Sequence, residues 1–171
     1  MRRTRFDQSP CPIARTTDLI GDWWTPLVLR EAYGGVRRFD VFQANLAIPR
    51  ASLTARLDRL VEEGMLRREQ YQENPPRDEY RLTRKGAEFY PVLAAMFRWG
   101  TDWLFDASGE STDPPQLMLT DTDTGQEIRP QVIDERTGNP IDVRKTRLRK
   151  RTLSITPSQP NRCEKIVSAT C

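Results

Sequence analysis

The sequence predicts a mainly α fold with a small β wing: a winged helix-turn-helix domain followed by a small β-rich C-terminal extension. Three observations carry this. Segments with apolar residues at spacings of three and four follow one another up to Gly64. Two β-compatible segments then flank a proline-bearing loop at 73–78. A last, strongly apolar helical segment closes the domain near residue 105. From the second helix onward the order is helix, helix, turn, helix, strand, loop, strand, helix.

Residues 1–10 read as a flexible arm carrying Arg2, Arg3 and Arg5. Pro12 to Ile20 is a short helix, with proline at its first position where a missing N–H matters least. Gly21 offers its C-cap and Asp22 an N-cap for the second helix. That helix runs to about Tyr33, where Gly34-Gly35 stops it; Trp23, Leu27, Val28 and Ala32 supply its apolar stripe. Pro26 fits because it falls in or near the first turn. Phe39 to Leu46 is a third, short helix with Phe39, Phe42 and Leu46 on one face. The turn Ala47-Ile48-Pro49 leads into a longer helix, Arg50 to Glu63, with Leu53, Leu57, Leu60 and Val61 inward.

Strands over Leu66–Gln72 and Glu79–Thr83 follow, and the prolines at 75 and 76 forbid helix between them. Thr83 N-caps a last helix from Arg84 to about Phe105, kinked at Pro91. Its Phe89, Tyr90, Val92, Leu93, Met96, Phe97, Trp99 and Trp103 spread around too much of the circumference for a lone surface helix. That excess reads as a subunit interface. The winged-helix domain therefore spans 11–105, and 106–116 is a polar linker. Residues 117–143 contain a repeat, Asp121 to Ile128 and Asp134 to Ile141, both D-x-x-T-G-x-x-I. Thr-Gly suits a tight turn with positive φ at glycine, giving two small β knuckles. Residues 144–171 form a basic, disordered tail by composition, opening with the run Arg144 to Arg151.

The length of 171 residues suits one domain with extensions. Lys and Arg number 27 against 24 Asp and Glu, a net charge of +3. So mild an excess leaves the question of nucleic acid to the distribution of charge. No apolar run approaches the roughly 18 residues of a membrane span, and no signal-peptide core follows Met1, so a cytoplasmic protein is expected. Cys11, Cys163 and Cys171 are odd in number and far apart, which is no disulfide framework. Histidine is absent, which removes His-based triads and metal sites. There is no P-loop, GxGxxG or CxxC. Nothing pairs a nucleophile with a base, so the expectation is no enzyme and no cofactor.

In this fold the second helix of the motif enters the major groove, N-terminal residues nearest the bases. With the leucines inward, Ala51, Ser52, Ala55 and Arg59 face outward, flanked by Arg50, Thr54 and Arg56. Small residues allow close approach; Ser52 and Thr54 can donate to phosphate or a base edge; the arginines suit guanine or phosphates. Arg77, placed at the wing tip by two prolines, suits the minor groove or a phosphate, with a salt bridge to Asp78 or Glu79 as its other use. Arg37 and Arg38 suit phosphate contact. The competing reading is a winged-helix protein–protein module without specific DNA binding. An acidic or apolar recognition face would mark it, whereas this face carries arginines, Ser52 and Thr54. A small-molecule pocket lined by Trp23, Trp24, Tyr33, Phe97 or Trp99 also stays open, although such aromatics commonly serve core and interface.

Several stretches bear on family: Cys11-Pro12, LIGDWWTPLVLRE from Leu19 to Glu31, Arg38-Phe39-Asp40, Leu53 to Leu57, Glu63-Gly64, Pro91 to Leu93 and Trp99-Gly100. Most specific is YQENPPRDEYRLTRKG, from Tyr71 to Gly86. With these, residues 11–105 resemble the HxlR-type family of bacterial regulators, relatives of the MarR group. The resemblance implies a homodimer through the first and last helices, with Ile13, Leu19, Leu93, Phe97, Trp99 and Trp103 as the interface set. It also implies double-stranded DNA as partner, palindromic operators, repression as the usual outcome, and a small-molecule inducer or oxidant. A two-fold dimer needs half-sites one helical turn apart, on the order of 34 Å.

Pro12 at the first helical position puts Cys11 at the N-cap, where free N–H groups and the helix dipole favour a thiolate, with Arg15 one turn on. A small apolar packing residue is the alternative. In some members of the family a cysteine here senses oxidants, quinones or aldehydes, so Cys11 is a candidate redox sensor. The C-terminal repeat resembles a zinc-ribbon extension of some members, in which cysteines precede the glycines. Here Thr124 and Thr137 occupy those places, and Asp121 and Asp134 the partner places. These are poor zinc ligands beside thiolate, so a degenerate ribbon without metal is expected.

Overall fold

A computed structural model describes residues 5–105, 117–142 and 144–149. The first residues of the arm, the 106–116 linker, and the tail from 150, with Cys163 and Cys171, lie outside the described residues. The chain divides into two compact units, one ending at Gln131 and the other beginning at Val132. The division falls between the two knuckles, not after the last helix.

The first unit runs α1 (Pro12–Ile20), α2 (Trp24–Tyr33), α3 (Phe39–Leu46), α4 (Arg50–Glu62), β1 (Leu66–Gln72), β2 (Arg77–Leu82), α5 (Arg84–Ala87) and α6 (Tyr90–Gly100). A π-helical turn over Thr101–Phe105 extends α6. Together these make the winged helix-turn-helix fold. Its core joins Val28, Leu29 and Ala32 of α2, Phe42 of α3, Leu53, Leu57 and Leu60 of α4, and Met65, Leu66 and Tyr80 of the wing, with Ile48 from the turn. Apart from Leu29, Met65, Ile48 and Tyr80, these are positions that helical spacing or the first strand had marked as apolar.

The wing is an antiparallel pair with Leu66 opposite Leu82 and Glu69 opposite Glu79. The open edge of β2 gains a further neighbour: Tyr80 N–H donates to the Arg37 carbonyl (2.8 Å), and Arg38 bridges Glu79. The segment before α3 is thus sewn to the wing. At the C-terminus of α4, Gly64 (φ 68°) and Met65 donate to Val61 and Leu60. This is a Schellman stop, closed by the buried Leu60 and Met65.

Four sequence expectations change. First, the arm is not loose from residue 5 on: Phe6 N–H donates to Asp18 Oδ1 (3.2 Å) and Arg5 pairs with Asp18 (3.8 Å). Second, Trp23 leaves the apolar stripe. Asp22 Oδ1 accepts from the N–H groups of Trp24 and Thr25, so the helix starts beyond Trp23, which is 89% exposed. Third, β2 begins at Arg77, opposite Gln72 across an irregularity at Tyr71, so the loop shortens to 73–76. Fourth, the last helix is broken rather than kinked. Pro91 lies in the first turn of α6, where its missing N–H breaks no ladder; inside a continuous helix it would collide with the preceding turn. Thr83 does cap α5, its hydroxyl accepting from Gly86 N–H (3.1 Å).

The two knuckles form with the same local wiring. Gly125 (φ 68°) donates to the Asp121 carbonyl and Gly138 (φ 70°) to that of Asp134. Single bridges close them, Thr120 to Glu127 and Ile133 to Pro140.

Candidate nucleic-acid interface

The turn between α3 and α4 aims the recognition helix. Ala47 takes φ 48°, in the left-handed region. Ile48 is buried, and Pro49 accepts the first helical bond from Leu53 N–H (3.0 Å). Burying Leu53, Leu57 and Leu60 then leaves Arg50, Ala51, Thr54 and Ala55 exposed and Ser52 half-buried. No side chain caps the N-terminus of α4. Its first N–H groups point outward with the positive end of the helix dipole, an arrangement suited to phosphate.

Ion pairing sorts the arginines around this helix. Arg56 Nε lies 3.2 Å from Asp22 Oδ1, and Arg59 lies 3.2 Å from Asp18 and 3.0 Å from Glu63. Arg56 Nε is itself buried and, despite that ion pair, makes no hydrogen bond. Both arginines are therefore turned back toward α1 and the α1–α2 turn, although the helical wheel had placed Arg59 outward. They line a charged cleft of about 440 Å³ with Arg5, Asp18 and Asp22. The N–H of Phe6, then Arg5 and Arg59, hold the Asp18 carboxyl below its usual range. On the wing, Arg68 pairs with Asp58 (2.6 Å), Arg67 with Glu69 (2.5 Å), and Arg81 with Glu69 (2.8 Å) and Glu79 (2.6 Å).

Within 5–105, Arg37, Arg38, Arg50 and Arg77 form no ion pair, while Arg15 and Lys85 bond to the backbone carbonyls of Ser9 and Glu63. All four unpaired guanidinium groups are exposed. They lie just before α3, at the first residue of α4 and at the base of the wing loop. Two rest on aromatic rings: Arg38 Cζ is 4.8 Å from the Tyr71 ring centre, and Arg50 Cζ is 4.8 Å from that of Phe39. Arg77 does not pair with Asp78 or Glu79. Sequence reasoning missed the two aromatic supports, because Tyr71 and Phe39 serve equally well as strand and core residues. It also missed the carboxylates that hold Arg56 and Arg59, which approach α4 only through tertiary packing.

Ile13, Trp99 and Trp103 are 59%, 59% and 61% exposed. Leu19 and Leu93 lean on the core, and Phe97 is half-buried. Neither α1 nor α6 contains a buried residue. Of the aromatics considered for a pocket, Trp24 and Tyr33 pack against the core, and the Tyr33 hydroxyl donates to the Gly86 carbonyl (2.5 Å). Cys11 is exposed at the N-cap of α1. Its N–H donates to Ser9 Oγ (3.2 Å), and Arg15 Nε donates to the Ser9 carbonyl (2.6 Å), which directs that guanidinium to the backbone. In the knuckles, the Thr124 hydroxyl donates to Asp121 Oδ1 (3.0 Å) and that of Thr137 to Asp134 Oδ2 (3.1 Å).

Residues 19–108 match the family model described as HxlR-like helix-turn-helix. The chain is 37% identical over 132 residues to Rv3095 of Mycobacterium tuberculosis, an uncharacterised HTH-type transcriptional regulator, covering 77% of this chain and 80% of the relative. It is similar to the crystal structure of PA1607, a candidate transcription factor, with TM-score 0.76 and 37% identity over 86% of this chain and all of that one. The oxidised form of the redox regulator HypR matches 54% of this chain and 96% of its own length, with TM-score 0.50 and 33% identity.

Proposed function

Since this chain belongs to the HxlR-like helix-turn-helix family and is a transcriptional regulator with a helix-turn-helix DNA-binding domain, we propose that it works as a homodimeric repressor on a palindromic operator. One observation carries the choice of DNA-facing surface. Of the arginines within 5–105, those left without an ion pair or a side-chain bond to the backbone are Arg37, Arg38, Arg50 and Arg77, all exposed, at the first residue of α4, just before α3 and on the wing. Unpaired guanidinium groups can exchange counterions for phosphates without first breaking an internal bridge. Ala51, Ser52, Thr54 and Ala55 supply the close-approach surface for base edges. Arg56 and Arg59 support the helix from behind, and their part in contacting DNA is secondary in this reading.

Homodimerisation is supported by α1, α6 and its π-helical extension, which leave Ile13, Trp99 and Trp103 in the open and contain no fully buried residue. Regulation through Cys11 is supported by its exposed N-cap position and by the likeness to HypR, a redox regulator. The role is regulatory rather than catalytic and is exercised in the cytoplasm; among the described residues no helix is long and apolar enough to cross a membrane.

The test begins with selection of binding sites from a randomised duplex, followed by fluorescence anisotropy of the selected site against scrambled DNA at several salt concentrations. Sequence-selective binding by two protomers is expected. Arg50→Ala and Arg77→Ala should each lower the salt slope by about one. Arg56→Ala should cost stability and leave the slope close to that of the wild type. Failure to select any sequence would favour a protein–protein module instead. Peroxide should release the wild type from its site and leave Cys11→Ser bound; equal release of both would remove the sensor reading.

A further inference from the structure

We propose that Tyr71 is a positioning residue for duplex DNA and acts through Arg38; this rests on the DNA-binding reading above. Arg38 bridges Glu79 on the open edge of β2, and Glu79 is opposite Glu69 on β1. Paired residues of neighbouring strands point to the same face, so Arg38 shares its face with two glutamates. Both are already engaged. Arg81 Nε lies 2.6 Å from Glu79 and 2.8 Å from Glu69, and Arg67 Nε lies 2.5 Å from Glu69. Arg38 pairs with neither and instead stacks on the Tyr71 ring, 4.8 Å from its centre, on the far strand.

Tyr71, two residues beyond Glu69, lies on this same strand face, and a defect in the ladder falls at its position. The register shifts between Gln70 and Gln72, and Tyr71 has no partner on β2. A bulged residue re-aims its side chain. The ring covers one face of the guanidinium and leaves the in-plane N–H donors open, the edge that a phosphate or a guanine needs. Stacking also removes rotamer freedom from a long side chain before DNA arrives, a loss that would otherwise count against binding. Arg50 on Phe39 repeats the arrangement at the start of α4. The wing thus contributes to binding through an aromatic support as well as through its own cation, Arg77.

The test uses the full chain and a mixed-sequence duplex of about 30 base pairs, long enough for two half-sites one turn apart. Tyr71→Leu should weaken binding roughly threefold at low salt, and Tyr71→Phe should restore it. In an Arg38→Ala background Tyr71→Leu should add nothing. Without DNA, the Arg38 Nε–H resonance, assigned by its loss in Arg38→Lys, should carry a ring-current shift that Tyr71→Leu abolishes and Tyr71→Phe keeps. Wild-type affinity in Tyr71→Leu, an equal loss in the Arg38→Ala background, or an unmoved Arg38 resonance would each overturn the proposal. Wild-type protein that shows no salt-dependent duplex binding would instead sink the DNA reading, and the proposal with it.

Discussion

Asp18 gathers Phe6 N–H, Arg5 and Arg59, so it ties the residues ahead of α1 to the recognition helix. The backbone N–H of Phe6 is the main cause, with both arginines, of a carboxyl held below the ordinary 3.8. For a depressed acid the linkage has one sign: the stabilisation is complete above the unfolded pKa and is lost as pH falls through the folded one. Asp18→Asn should therefore melt earlier than the wild type at neutral pH, and the gap should close below about pH 4. Thermal unfolding across pH 2–7 checks this. Tyr33 behaves in the opposite direction. Burial, then Tyr90 beside it, pushes its hydroxyl up to about 12. A raised acid stabilises the fold below its unfolded pKa, about 10, and loses that as pH climbs toward 12. Tyr33→Phe should cost about 1 kcal/mol through the lost bond to Gly86. It should also show less alkaline destabilisation over the same interval, as read by denaturant titration.

At the scale of elements, the junctions are more demanding than the helices. Gly86 packs so closely on the residue that precedes β1 that an added Cβ would meet the Met65 carbonyl oxygen at 2.1 Å. Backbone cannot yield cheaply, so Gly86→Ala should lose about 3 kcal/mol, at the upper end of overpacking costs. Thr83 joins the same junction: its hydroxyl donates to the Gly64 carbonyl (2.6 Å) as well as capping α5. Thr83→Ala should cost about 1–2 kcal/mol, in the range of a lost cap. Leu57, fully buried in α4, should cost about 2–5 kcal/mol on truncation to alanine. Chemical denaturation of the three variants would rank them. A wild-type midpoint for Gly86→Ala would mean that the Met65 carbonyl can yield to a methyl group at this junction.

For the molecule as a whole, the proposed dimer follows from apolar helix faces that the protomer leaves open. Trp99, Trp103 and Ile13 leave large apolar area in water, which association would remove at roughly 25 cal/mol per Å². Trp103→Glu places a charge where a partner's apolar surface is expected. It should shift sedimentation toward monomer and weaken operator binding, because two recognition helices would no longer be held at a fixed spacing. A dimer unchanged in size would move the interface elsewhere.

Periodicity was enough to find α2 to α4, since burying an apolar stripe requires helical spacing whatever surrounds it. Pro12, Gly64 and Thr83 were legible as punctuation because their constraints are local. So were the glycines of the two knuckles, where positive φ is a property of the turn itself. The exposed N-terminal face of α4 also follows from the wheel alone. What the chain order could not reveal was the partner of each charge. Arg56 and Arg59 look as available as Arg50 in the sequence, yet Asp22 and Asp18 reach them only after α1 and α4 pack together. Arg38 meets the Tyr71 ring only because the segment before α3 joins the edge of β2, where Arg81 of the same strand already engages Glu79. Helical and turn preferences act over a few residues, so sequence determined the elements. Long-range ion pairs and stacking join residues that only the tertiary fold makes neighbours, and that pairing decided which cations the fold leaves unpaired.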